Sequence, residues 1–316
     1  PVSHSASHMR IRGRQATKHG RSAVHNPFME RQGTDRKDQE LIELALAGSG
    51  ADLEALILRH QAWIYNIALG MTCDPHGAQD ITQEILVKAI TALATFDRAK
   101  ASFRTWLYRI VANHVLSLRR MKREETFSSL VTPEAYHEYV ESIPDEKPGN
   151  GPEHKALTRE ARNTCIAGML LCLDHRQRLV FILGAIFGVS DAVGSEILEM
   201  SRPNFRKILS RSRSRLANFF TGTCSLVNEN NPCRCDRWIE PMQRLELIGR
   251  DDASGQTRFR RIAEVVEGRA REFRDFYDRE VVGLYRELPF ADPPDMVSWI
   301  RRAITTEEFK GFMDLH

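Results

Sequence analysis

Apolar residues along this 316-residue chain recur every three or four positions through most of its length, and strict alternation is almost absent. From Asp38, DQELIELALAG sets Leu41, Leu44 and Ala45 on one face and stops at Gly48; from Asp52 the pattern continues through Leu56, Arg59, Ile64, Ile67 and Ala68. Asp74-Pro75 opens a third helix with Ile81, Ile85, Ala89 and Leu93 as its apolar row. Phe103, Trp106, Leu107, Ile110, Val111 and Leu118 form the stripe of a fourth, and the four predict a compact bundle ending near Met121. From about Arg123 to Glu153 the period fails and Pro133, Pro144, Pro148, Gly149, Gly151 and Pro152 punctuate the chain, which predicts a linker. It is acidic: Glu134, Glu138, Glu141, Asp145 and Glu146 face only Lys147.

A second helical block runs from about His154 to Phe220, with Leu157, Cys165, Leu170, Leu179, Ile182 and Leu183 as its core candidates. After the irregular stretch TGTCSLVNENNPCRCDRW, one long amphipathic helix is expected beyond Thr257, carrying Ile262, Val265, Val266, Phe273, Phe276, Tyr277, Val281, Leu284 and Leu288. Pro289, Pro293 and Pro294 end it, and MVSWIRRAI and EEFKGFM predict two short terminal helices. The expected fold class is all-α, with two helical domains joined by an extended linker and followed by a mainly helical C-terminal extension.

A hydrophobic content of 42% with 28% charged residues excludes extensive disorder, while a net charge of +3 is too small to name a partner. No apolar run reaches the roughly 18 residues of a membrane span and no secretory signal opens the chain, so a cytoplasmic location without a membrane partner is expected. Six cysteines, at 73, 165, 172, 224, 233 and 235, do not form a disulfide framework; thiols or metal ligands are expected. The opening PVSHSASHM resembles an expression-vector remnant. Arg10, Arg12, Arg14, Lys18 and Arg21 precede the first acid, Glu30, so residues 1–34 read as remnant plus flexible basic tail.

Chemistry enters in two places. In FRTWLYRIVANHVLSLRR, Arg109, Asn113 and Arg120 step by four and seven to make a polar ridge beside the apolar face. The preceding ATFDRAKAS adds Phe96, Asp97, Arg98, Lys100 and Ser102 in a loop. Cations beside aromatic surface suit single-stranded nucleic acid, and an amide such as Asn113 can read an extruded base, although Trp106 suits a core equally well. Further on, GVSDAVGSEILEMSRPNFRKILSRSRSRL has helix-turn-helix spacing: Ile197 and Leu198 close one helix, Glu199 and Met200 turn, and Ser201 caps the next. Phe205, Ile208, Leu209, Ser212, Leu216 and Phe219 would face inward and Arg202, Asn204, Arg206, Lys207, Arg211 and Arg213 outward, with no acid from Ser201 to Phe220. The plain alternative is a helix whose arginines only keep it soluble. No phosphate-cradling glycine loop, zinc-hydrolase pair or nucleophile motif appears, so an enzyme is not expected.

Together, QDITQEILVKAITALATFDRAKASFRTWLYRIVAN at 79–113 and the helix-turn-helix at 188–216 resemble an extracytoplasmic-function (group 4) sigma factor over roughly 35–221. The resemblance implies a region 2 at 35–122, an acidic linker at 123–153 that threads toward the polymerase active centre, a region 4 at 154–221 and an extension at 222–316. It implies that Asp80, Gln83 and Glu84 bind the clamp helices of core RNA polymerase. Phe96, Arg98, Lys100, Ser102, Trp106, Arg109, Ile110, Asn113 and Arg120 would serve the melted minus-10 strand. Ser201, Arg202, Asn204, Phe205, Arg206, Lys207, Arg211 and Arg213 would serve the minus-35 duplex. Implied partners are core RNA polymerase, at clamp helices and flap, promoter DNA in both forms, and an anti-sigma factor or other regulator.

Three departures stand out. Pro203-Asn204-Phe205 replaces the small pair common at the start of the recognition helix, so the minus-35 preference does not carry over. Asp191-Ala192-Val193-Gly194 lacks the usual aromatic-acidic opening, which is expected to weaken packing there. The chain also continues for almost a hundred residues beyond the usual end. In that extension Cys224, Cys233 and Cys235 offer thiolates that suit zinc or monovalent copper, or simply buried thiols around a rigid turn. Alternatives to the promoter-reading function are a helix-turn-helix regulator acting without polymerase and a metal-responsive sigma factor.

Overall fold

The computed structural model describes residues 26–28, 32–118, 138, 141–143, 149, 151–249, 260–262 and 276–304. The first block is four helices, α1 (Gln32–Leu46), α2 (Gly50–Thr72), α3 (Pro75–Thr91) and α4 (Phe103–Ser117). Each of the last three starts where a short polar side chain satisfies an orphan backbone donor: Ser49 accepts from Asp52 N–H, Asp74 from Gly77 N–H and Ser102 from Thr105 N–H. Pro75 sits in the first turn of α3, where its missing donor costs nothing.

The second block is α5 (Pro152–Gly168), a 3-10 turn, α6 (His175–Phe181) running into a π-helical turn at Ile182–Ile186, α7 (Asp191–Ile197) and α8 (Arg202–Thr223). The extension adds α9 (Ile239–Arg244), strand β1 (Arg260–Arg261), α10 (Phe276–Arg286), strand β2 (Pro289–Phe290) and α11 (Met296–Ile304). β1 and β2 pair antiparallel, Arg260 opposite Phe290 and Arg261 opposite Pro289. The all-α class holds, with this two-residue ladder as the one sheet among the described residues.

The two blocks share a single apolar core. Trp63, Ile64, Ile85 and Val115 of the first and Val180, Phe181 and Phe205 of the second are fully buried in the same cluster. Gly70 allows the close approach: a Cβ there would lie 2.9 Å from Ile182 Cδ1. Arg178 is buried between the blocks, its guanidinium donating to Met71 O at 2.5 Å and to Leu170 O and Leu173 O at 2.9 Å. Those carbonyls lie at the ends of α2 and the 3-10 turn, where Leu170 O also accepts from Leu173 N–H at 3.1 Å, so one cation ties the two ends together. Cys73 adds a thiol contact to Ala167 O at 3.0 Å.

Several expectations change. Leu44 is 50% exposed while Ile42 is 2% exposed, because buried Asp38 turns α1 about its axis to reach Arg59 and His60 on α2. The tail does not extend to residue 34: Phe28 is buried against Trp63 and Tyr108, with ring centroids 5.3 and 4.6 Å apart, and α1 begins at Gln32. Of the long helix expected beyond Thr257, Arg260–Arg261 is strand and Phe276–Arg286 is helix, while 263–275 lie outside the described residues. The basic residues of the tail, Arg120, most of the acidic linker, Val265, Val266, Phe273 and EEFKGFM lie outside the described residues. Among the described residues no helix is long and apolar enough to cross a membrane.

Candidate nucleic-acid interface

The loop before α4 is a tied turn. Asp97 accepts from Ala99 N–H at 2.9 Å and pairs with Lys100 at 3.3 Å; these two partners, the backbone bond first, hold its carboxyl below the ordinary range. Arg98 and Lys100 are exposed at its tip. Behind it, Phe96, Phe103 and Trp106 form an aromatic trio with centroids 5.5 to 5.7 Å apart, Phe103 and Trp106 nearly parallel at 27°. Phe96 and Trp106 are half-buried, and Trp106 with Phe103 borders an apolar recess lined also by Leu53, Ile57, Leu86 and Leu93. Trp106 is therefore both core support and surface. Ser102 is engaged by its own helix, accepting from Thr105 N–H at 3.2 Å, so the hydroxyl builds the turn.

One turn along α4, Asn113 is exposed and Ile110 half-buried. Arg109 of the same ridge reaches across to the second block, its Nε 3.2 Å from Glu196 O and 3.5 Å from Glu199 Oε1. Asp80 and Glu84 are exposed and Gln83 half-buried along one stripe of α3, so the three predicted polymerase-binding residues share a face. His114 joins this stripe to α4: its Nδ1 is 2.7 Å from Lys88 Nζ and its Nε2 3.4 Å from Glu84 Oε2. Burial, then Lys88, push its pKa down against the pull of Glu84, so the neutral ring accepts from Lys88 and turns its own N–H toward Glu84. Periodicity gave no sign of this link; a lone histidine on a mostly apolar stripe was its one trace.

In the second block the turn has the expected form. Glu199 takes a left-handed φ of 49°, and Ser201 accepts from Asn204 N–H at 3.3 Å to start α8. Ser201, Arg202, Asn204, Arg206, Lys207 and Arg211 are exposed along the helix, which contains no acid. Arg206 pairs with Asp191 of α7. Phe205 is not a DNA contact: it is 0% exposed, because its ring fills the space left by Gly184 and Gly194. A Cβ on Gly194 would lie 2.5 Å from that ring, so the departure at 191–194 does not loosen the motif but fits a large aromatic into it. Arg213 is half-buried near Arg286 of the extension, whose pKa is pushed down by burial and then by Arg213.

Cys224 and Cys233 face each other across a parallel β-bridge, with Cys235 nearby. Burial pushes the Cys224 thiol up to about 11 and the Cys235 thiol up to about 12. Trp238 Nε1 donates to Cys233 Sγ at 3.4 Å. Among the described residues no group of three or more His, Cys, Asp or Glu side chains is arranged to hold a metal ion.

The sigma-70 region 2 family matches residues 56–125, which hold the α3 stripe, the loop and α4. The RNA polymerase sigma-H factor of Pseudomonas aeruginosa is 38% identical over 80 residues, 25% of this chain and 41% of that protein. The match thus spans less than half the length of that relative. Longer matches reach the ECF RNA polymerase sigma factor SigM of Bacillus subtilis, 26% identical over 48% of this chain and 85% of that protein, and CnrH of Cupriavidus metallidurans, 27% identical over 57% and 92%. The matched region carries the stripe and aromatic loop described above, and in it the chain is similar to extracytoplasmic-function sigma factors of the sigma-70 family.

Proposed function

We propose that this chain binds core RNA polymerase through Asp80, Gln83 and Glu84 and directs it to promoters with two separate grips. The α3 stripe is open to a partner, and the Glu84 carboxylate lies 3.4 Å from His114 Nε2. Phe96, Trp106, Ile110 and Asn113, with Arg98 and Lys100 at the rim, take the melted minus-10 strand: cations neutralise phosphate while an unstacked base gains apolar surroundings. Arg202, Asn204, Arg206, Lys207 and Arg211 enter the major groove of the minus-35 duplex, where arginine pairs bidentately with guanine and the remaining cations hold phosphates. The chain carries out no bond chemistry of its own in this reading, acts beside polymerase in the cytoplasm, and leaves room for an anti-sigma factor.

The observation that carries the proposal is the pairing on one chain of an exposed, acid-free recognition helix with an aromatic-basic loop beside an acidic stripe. A regulator that only grips duplex DNA has no use for the loop or the stripe. In vitro transcription with core polymerase on a pool of genomic fragments tests it, with start sites read with and without the protein. Asn113→Ala is expected to lower open-complex formation about tenfold with little effect on duplex binding, and Arg202→Ala to weaken duplex binding about tenfold. Selective duplex binding with no association with polymerase would instead favour the polymerase-independent regulator.

A further inference from the structure

The extension runs from one DNA-binding block to the other and ties both. α10 packs on α8 and the π-helical turn, where Arg286 donates to Ala185 O at 3.2 and 3.0 Å. The chain then turns at β2 and lays Phe290 against both Trp63 of the first block and Phe187 of the second, at centroid distances of 5.1 and 6.3 Å, those two rings being themselves 5.1 Å apart. Next to it, Ala291 exchanges two hydrogen bonds with buried Asn66 of α2, N–H to Oδ1 at 2.9 Å and Nδ2 to C=O at 2.7 Å. α11 finally lies along α2, where Arg301 holds Glu54 with both arms of its guanidinium at 2.7 to 2.9 Å.

This closed arrangement conflicts with simultaneous reading of both promoter elements. Elements centred near minus 10 and minus 35 are about 25 base pairs apart, roughly 85 Å of duplex at about 3.4 Å per pair. A compact body of this many residues is roughly 45 Å across. In the closed form Arg109 is also spent on Glu196 and Glu199 of the helix-turn-helix, so the minus-10 ridge abuts the minus-35 reader. The acidic stripe of α3, by contrast, stays open.

We infer that residues 276–304 are an intramolecular clasp that holds the two promoter-binding blocks in a closed, inactive arrangement, with the polymerase-binding stripe left accessible. The inference rests on the proposed function for what is being inhibited, but not for the closure itself. Polymerase can thus dock on α3 before the blocks part, and the cost of opening lowers output wherever polymerase is limiting.

The test uses the full chain. Arg301→Glu sets two carboxylates against each other at a surface site, and Asn66→Ala removes both bonds to Ala291 while leaving α2 a better helix former. Small-angle scattering is expected to show an increased radius of gyration for either variant. Run-off transcription at limiting polymerase should rise about threefold for Arg301→Glu and about tenfold for Asn66→Ala. Adding Glu54→Arg to Arg301→Glu restores the pair with reversed charges and should return both readouts to the starting values. Unchanged scattering and output in both variants, or a rise that the charge swap does not reverse, overturns the clasp. If the unaltered chain fails to bind core polymerase, the proposed function falls instead, and scattering alone still decides whether the extension holds the blocks together.

Discussion

Gly194 and Phe205 show how a single missing methyl shapes the helix-turn-helix. The ring is fully buried and lies where any side chain on residue 194 would begin, at 2.5 to 2.6 Å. Ring and backbone are both rigid, so nothing cheap can yield. Gly194→Ala is therefore expected to destabilise the chain by about 1–3 kcal/mol despite the better helix propensity of alanine, as measured by urea unfolding. An unchanged or raised midpoint would show that α7 can shift. The inward direction of Phe205 was legible from its spacing with Ile208, Leu209 and Ser212, whereas its assignment to DNA came from position in the family motif and gave way to packing. Arg109 is the converse: its place on a polar ridge was legible, but Glu196 and Glu199, almost ninety residues away in the chain, decide what it holds.

At the scale of the element, α1 depends on one buried carboxylate. Asp38 is 1% exposed, with Oδ1 2.6 Å from Arg59 Nε and Oδ2 3.4 Å from His60 Nε2. Burial pushes its pKa up, but the bonds and charges of His60 and then Arg59 outweigh this and hold it below the ordinary 3.8. A depressed carboxylate stabilises the fold above its unfolded pKa, and that contribution disappears as pH falls through the lowered folded value. Asp38→Asn should accordingly cost about 3 kcal/mol at pH 7. The gap between variant and parent, followed by chemical denaturation, should shrink as pH is taken below about 4. A gap that persists to the acid limit would mean that shape rather than charge anchors α1. Helix limits were otherwise readable: Ser49, Asp74, Ser102 and Ser201 are capping residue types in front of apolar-periodic segments, and each caps as its chemistry dictates.

For the whole molecule, the shared core predicts shared stability. Trp63, Phe187 and Phe290 meet across the block boundary, and Arg178 binds carbonyls on both sides. Calorimetry of the full chain should show one cooperative transition spanning both blocks. Arg178→Met leaves buried carbonyls without their donor and should lower stability by about 3 kcal/mol. Two separate transitions in the unaltered chain would show that each block folds independently and that the interface adds little.

By itself the sequence determined the helices of the two blocks, the cap at Ser201, the turn of the helix-turn-helix and the exposed positions of α3, the loop and α8. These depend on residues within a few positions of each other, and a period of 3.6 writes them directly into the chain. Only the tertiary structure decided that Asn66 receives Ala291, that Trp63 meets Phe290, and that Arg178 spans two blocks. Such pairings join surfaces that look equally apolar or equally polar when read alone. Their specificity arises from shape and from unsatisfied backbone groups that exist only once the helices have formed.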